Sequence, residues 1–278
     1  MQLRTHYPVT EICAVLVYPR SNVYAVKSRT AEIELGQAIQ DLAGEHPTYG
    51  YRRITALLRR EGWQVNRKRI QRLMREMSLA AAPPVRRRRT TNSNHPYPRY
   101  PNLVKDLVAA YPDHIWVCDI TYIQLQRGVV YLAVIMDVYT RAIRGWHLGR
   151  SLDQELTLVA LERALATRAP EIHHSDQGVQ YAATRYVTLL EQHGVQISMA
   201  AVGKPEENGF AERLMRTIRE EEVRLTDYVD YHDAYAHIGQ FLEDVYNRKR
   251  IHSALGYLTP AEFEADWVSR QLQVAVIH

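Results

Sequence analysis

Two residue periods divide this chain. Through residue 77 the apolar positions recur at helical intervals. Ile33, Leu35, Ile39 and Leu42 predict a helix over 31–44. His46-Pro47-Thr48-Tyr49-Gly50-Tyr51 punctuates it, with Thr48 as candidate N-cap of the next helix. There Ile54, Leu57 and Leu58 fall at i, i+3 and i+4, and Gly62 ends the run. Asn66 reads as the cap of a further helix. Its apolar stripe is Ile70, Leu73, Met74 and Met77, and Arg67, Lys68, Arg69, Arg72 and Arg75 crowd its other positions. Two short helices joined through Glu61-Gly62-Trp63-Gln64-Val65 predict a helix-turn-helix-type hairpin, in which the second helix enters the major groove.

From about residue 114 the period shortens to that of strands. Residues 115–124 and 129–138 are apolar and β-branched around a turn at Gln126-Arg127-Gly128, and 141–148 predicts a third strand. Asp153 caps a helix running to about 167, with Leu156, Val159, Ala160 and Leu165 toward the core. A short strand at 171–174, a helix at 180–193, a strand at Val195 to Met199 and helices at about 205–224 and 230–248 complete the pattern. Five strands with interleaved helices describe an α/β, RNase-H-like layout behind an N-terminal all-α region.

Residues 80–101 fit neither period. Three alanines and two prolines lead into Arg86, Arg87, Arg88 and Arg89, then into a polar stretch with further prolines. Such a segment builds no core and reads as a basic linker. The expected organisation is a helical DNA-binding region over 1–79 (the hairpin at about 48–79), a basic Pro-rich linker over 80–112, a catalytic core over 113–225, and a C-terminal helix and tail over 226–278.

Charge sharpens this division. The net charge of the 278 residues is only +4, but residues 52–89 hold thirteen Lys or Arg against Glu61 and Glu76, a local +11, which leaves −7 for the remainder. A basic segment on an acidic body points to nucleic acid, with Arg52, Arg53, Arg67, Lys68, Arg69, Arg72 and the arginines 86–89 as candidate contacts. The alternative is a solvated pair of charged helices. No run approaches the ~18 apolar residues of a membrane span, and residues 12–18 lack the basic leader of a signal peptide. Cys13 and Cys118, the only two cysteines, have no metal-ligand spacing and suit a reducing compartment.

Three acids stand in distinctive contexts. Asp119 lies in the apolar Trp116-Val117-Cys118-Asp119-Ile120-Thr121, Asp176 follows a short strand in His174-Ser175-Asp176-Gln177-Gly178, and Glu212 opens a helix after Asn208-Gly209-Phe210-Ala211. The gaps between them are 56 and 35 residues. One acid alone is ordinarily a solvated surface charge. A carboxylate inside an apolar strand is costly unless paired or metal-bound. Three of them gathered by a fold can hold two hard cations for an in-line displacement at phosphorus.

These motifs, with Tyr49-Gly50-Tyr51-Arg52-Arg53-Ile54 and the closing Tyr246-Asn247-Arg248-Lys249-Arg250-Ile251-His252-Ser253-Ala254-Leu255-Gly256-Tyr257, resemble the catalytic, second-frame transposase of bacterial insertion sequences of the IS-three type. The core resembles retroviral integrase more distantly. The resemblance covers nearly the whole chain. It implies an RNase-H-like core in which Asp119, Asp176 and Glu212 bind two magnesium or manganese ions. The reaction it implies is cleavage at the 3′ ends of the element, then strand transfer into target DNA. Asp119 would bridge both ions. The family carries a basic residue seven positions after the glutamate, which here is Arg219, a candidate DNA contact.

The resemblance further implies a homo-multimer on the element ends and target DNA, no membrane, a cytoplasmic and nucleoid-associated setting, and a first-frame protein as partner. No apolar heptad run near residue 1 supplies the zipper that such a partner carries. The competing functions are an RNase-H-fold nuclease that cleaves without joining, and a non-catalytic DNA-binding regulator. His174 and Gln177 either orient Asp176, touch DNA or are ordinary strand-end polar residues. Asn208 either caps the Glu212 helix or contacts substrate. The motif at 246–257 either docks on the core or touches DNA.

Overall fold

The computed structural model describes residues 7–17, 19–79, 98–201 and 203–277, and the chain divides into two compact units, Met1–Pro83 and Pro84–His278.

The first unit is helical: α1 (Val9–Val15), α2 (Arg20–Glu45), α3 (Tyr51–Arg60) and α4 (Arg67–Glu76). Leu35, Ile39 and Leu42 of α2 are buried with Ile54 and Leu58 of α3 and Ile70, Leu73 and Met74 of α4, whereas Ile33 is exposed. The helix expected over 31–44 begins earlier, at Arg20. Thr48 is not a cap. Gly50 precedes α3 in extended conformation, and no side chain caps that helix. Gly62 takes a φ of +91°, which favours glycine, and turns the chain after α3. Asn66 does cap α4, accepting from Arg69 N at 2.9 Å. Arg59 closes the hairpin by donating twice to Val65 O, at 3.0 and 2.9 Å.

The second unit is built on a five-stranded mixed sheet of order β3-β2-β1-β4-β5. β1 (Ile115–Gln124), β2 (Val129–Asp137) and β3 (Ile143–Gly149) run antiparallel, and β4 (Ile172–Ser175) and β5 (Gln196–Met199) join β1 in parallel. Side chains alternate across β1, as an extended strand requires. Ile115 and Val117 enter a core shared with α8 (Gly209–Ile218), α9 (Tyr231–Gln240) and the π-helical turns Phe241–Lys249. Trp116 and Cys118 enter the opposite core, shared with α5 (Gln154–Leu165), α6 (Val179–Ala182) and α7 (Thr184–Gln192). The sheet is thus covered by helices on both faces, in three layers.

Several boundaries differ from the expectation. The helix expected over 180–193 breaks at Ala183, whose φ of −66° and ψ of 140° are extended. The segment 205–224 opens with a 3₁₀ turn (Pro205–Asn208) and closes with a π turn (Arg219–Val223) around α8. The tail continues into α10 (Pro260–Ile277). The motif at 246–257 docks on the core. Asn247 pairs with both backbone groups of Ile143, Tyr246 is buried and meets Met136, and Arg250 makes two 2.7 Å bonds to Glu221. Arg144 links α10 to the sheet, meeting Asp113 at 2.8 Å and Glu264 at 2.9 Å.

Candidate active site

Strand alternation sets Asp119 on the same face of the sheet as Val117, the face covered by α8. β1 and β4 pair with Val117 opposite His174. Carried two residues further, that register brings Asp119 level with Asp176, just beyond the end of β4. Both acids are partly exposed. Asp119 Oδ1 accepts from Ile120 N at 2.8 Å, and Asp176 Oδ1 accepts from Gly178 N at 3.0 Å. A Cβ on Gly178 would stand 3.0 Å from that same Oδ1, so a small residue lets the turn close on Asp176. The two charges act together on their surroundings. Burial pushes the Cys118 thiol well up, and Asp176 and Asp119 push it further. The Tyr181 hydroxyl is raised by burial first, then by Cys118 and both acids.

The third acid is carried by α8, the helix that covers this face of the sheet. Ala211, Leu214, Met215 and Ile218 form the buried stripe of α8. Glu212 lies beside that stripe, half-buried, with Arg216 and Arg219 following at i+4 and i+7 on its side of the helix. Asn208 ties the start of α8 to β1. It stands at the N-cap position of α8, but its side chain makes no capping hydrogen bond. Its Nδ2 donates to Cys118 O at 3.1 Å, the carbonyl immediately before Asp119, and its buried Oδ1 has no hydrogen-bond partner. The side chains themselves do not converge on one point: among the described residues no three His, Cys, Asp or Glu side chains are grouped closely enough to hold an ion. Asp119 and Asp176 are each turned onto a local backbone amide.

His174 is fully buried, and both of its ring nitrogens are engaged on the β5 side. Its Nδ1 meets Ser198 Oγ at 2.8 Å and its Nε2 meets Glu207 O at 3.1 Å. Burial lowers its pKa, and drives that of the neighbouring His173 down to about 3. Gln177 is buried as well. Glu207 opens the stretch Glu207-Asn208-Gly209-Phe210-Ala211 that leads to Glu212. It accepts from Ala201 N at 2.9 Å and from Asn102 Nδ2 at 2.8 Å. Those bonds hold its carboxyl below the usual range. Arg216, exposed on α8, is a further candidate basic residue, and its spacing of four from Glu212 is the signal that marks it in the sequence.

In the first unit, Arg67 and Lys68 are exposed at the start of α4, whereas Arg69 is half-buried. Arg52 is exposed, and Arg53 stacks its guanidinium over the Tyr49 ring at 4.7 Å. Arg72 is already engaged, by Glu32 at 2.6 Å and Glu76 at 2.9 Å. Arg219 is exposed and its Nε donates to Met215 O at 3.1 Å. Arg86, Arg87, Arg88 and Arg89 lie outside the described residues.

Comparison with known proteins gives this arrangement a family. Two models of the integrase core domain match residues 109–205 and 193–260, and a model of an HTH-like domain matches 30–89. The uncharacterized 31 kDa protein of insertion element IS600 from Shigella sonnei is 39% identical over 220 residues, covering 78% of this chain and 81% of the relative. The transposase of insertion sequence element IS904 from Lactococcus lactis is 34% identical, covering 83% of this chain and 93% of the relative. The IS629 transposase of Shigella sonnei is 31% identical over 95% of this chain and 93% of its own length. Among solved structures, the HTLV-2 integrase catalytic core domain in complex with magnesium aligns at a TM-score of 0.45 and 16% identity, over 55% of this chain and 97% of that one. With 31–39% identity to the three insertion-element proteins sustained over most of their lengths, the chain belongs to the insertion-sequence transposases, DNA transposases of the polynucleotidyl transferase class with an RNase-H-like integrase core and an N-terminal HTH-like domain.

Proposed function

We propose that Asp119, Asp176 and Glu212 form one acidic centre that serves both chemical steps of transposition: hydrolysis of the phosphodiester at each 3′ end of the element, then attack of the released 3′-hydroxyl on target DNA. The observation that carries this is the shared level of Asp119 and Asp176 on parallel neighbours, with the Glu212 helix tied by Asn208 to the carbonyl before Asp119. Both steps are in-line displacements at phosphorus, so one centre can serve them in turn.

The donor set fits hard divalent cations, two magnesium or manganese ions. It is all carboxylate and partly exposed, and it sits beside the unpartnered acceptor oxygen of Asn208. Rotation of Asp119 and Asp176 off their backbone amides would turn both carboxylates to such ions. When bound, these ions supply activation of the attacking oxygen and stabilisation of the leaving oxygen. The chain's own part is to hold them and to position DNA. Asp119, Asp176 and Glu212 would together hold them. Arg216 and Arg219, on the Glu212 side of α8, would grip phosphates near the cut, where a guanidinium makes bidentate contacts. In the first unit, Arg67, Lys68 and Arg69, with Arg52 and Arg53, would neutralise the phosphate backbone, and the arginines 86–89 would extend that grip. Joining two element ends to one target calls for a homo-multimer on DNA, with the first-frame protein as a further partner.

The test separates chemistry from binding. Asp119→Asn keeps the shape and removes a charge. It is expected to abolish cleavage of a labelled element end while leaving DNA affinity close to wild type. A folded Asp119→Asn protein that still cleaves would remove Asp119 from the centre.

A further inference from the structure

The turn between β5 and α8 is closed by a ring of side-chain hydrogen bonds that no catalytic role requires. Ser198 Oγ meets His174 Nδ1 at 2.8 Å, and His174 Nε2 meets Glu207 O at 3.1 Å. Glu207 Oε2 accepts from Asn102 Nδ2 at 2.8 Å. The next residue, Leu103, donates its N–H back to Ser198 Oγ at 2.9 Å. The same Glu207 oxygen accepts from Ala201 N at 2.9 Å, drawing the two ends of the turn together. Outside the ring, Pro101 O accepts from Met199 N at 3.3 Å, which fastens the strap 101–103 along β5.

The ring ends one residue before Asn208, whose amide fixes the start of α8 against Cys118 O. It begins at His174, two residues before Asp176. It therefore spans the interval between the second and third acids. A turn of this length would otherwise sample many conformers, each moving Glu212, and the hydrogen bonds remove that freedom. Two donors converge on one carboxylate oxygen, and charge-assisted bonds of this kind are the stronger ones.

We propose that Glu207 is a positioning residue, latched by Asn102 and His174, which sets the distance of Glu212 from the other two acids. This rests on Glu212 being the third acid of the centre.

The experiment uses the full chain with Glu207→Ala, Glu207→Gln, Asn102→Ala, the Asn102→Ala/Glu207→Ala double variant and Glu212→Gln. It reads the rate of joining a pre-cut labelled end, the Mn²⁺ concentration giving half that rate, DNA affinity and the melting temperature. Glu207→Ala is expected to slow joining by about tenfold or more and to raise the half-saturating Mn²⁺ by a similar factor, with DNA affinity unchanged. Glu207→Gln keeps an acceptor for Ala201 N and is expected to restore most of the rate. Asn102→Ala should show a smaller loss, and the double variant should be no worse than Glu207→Ala, because both cut one link.

A folded Glu207→Ala protein with wild-type rate and Mn²⁺ dependence overturns the latch. If that variant does not fold, the same result from Asn102→Ala overturns it. A Glu207→Gln protein as inactive as Glu212→Gln also overturns it, because Glu207 would then be an ion ligand. Full joining by Glu212→Gln instead shows that the third acid itself is misassigned.

Discussion

Gly145 carries the close approach between β3 and α5. A Cβ there would stand 2.2 Å from Ala160 O and 2.8 Å from Ala164 Cβ, so α5 would have to lift off the sheet. Gly145→Ala is expected to destabilise the core by about 1–3 kcal/mol in urea unfolding. Unchanged stability would mean that α5 is free to shift. His173 bears on pH. Buried and bonded to the Tyr186 hydroxyl at 3.0 Å, it is held neutral, with its pKa driven from 6.5 to about 3. The stability it contributes is full above pH 6.5. It is lost as pH falls toward 3, at roughly 1.4 kcal/mol per pH unit, because the unfolded chain takes up the proton first. His173→Gln should flatten the acid side of the stability profile, and an unchanged slope between about pH 6 and 4 would assign the loss to other groups. At this scale the sequence is readable where a residue acts locally, as Asn66 and Asp153 do in capping their helices. It is not readable for Asn208, whose partner, Cys118 O, lies 90 residues away.

α4 separates two roles that composition alone merges. Arg67 and Lys68 stand exposed at its start with Arg69 half-buried beside them, whereas Arg72 is held by Glu32 and Glu76. Replacing Arg67, Lys68 and Arg69 by alanine should weaken DNA binding and reduce its salt slope by about 0.9 for each phosphate no longer neutralised. Arg72→Ala should change that slope less. Equal effects from all four would make the whole helix face a DNA-binding surface. Among the elements, the strands and their order of appearance are legible because β1 and β2 are apolar, β-branched runs, as strands buried on both faces are. The break at Ala183 is not, since the residues around it keep a helical apolar pattern. α10 lies beyond the expected helices, although its start is written in the chain. Glu262 N donates to Thr259 Oγ1 at 3.2 Å and Thr259 N to Glu262 Oε2 at 2.9 Å, a reciprocal capping box with Pro260 between them.

Across the whole molecule, an HTH-like unit and an integrase core lie in one chain, and the described residues include no helix long and apolar enough to cross a membrane. The three acids stand out in the sequence because each sits beside apolar or glycine-containing motifs that would be odd for surface charge. What holds them in relation is not legible there, because the register of β1 on β4 and the ring through Glu207 join residues far apart in sequence. The central claim is that one acidic centre both cleaves and joins. It is tested most directly by incubating labelled element ends, one uncut and one pre-cut, with plasmid in magnesium or manganese, and comparing the wild-type chain with Glu212→Gln. Joined product from the wild type and none from Glu212→Gln is the expected result. Equal joining by both proteins, or cleavage by the wild type that never yields joined product even with the first-frame protein added, would contradict it.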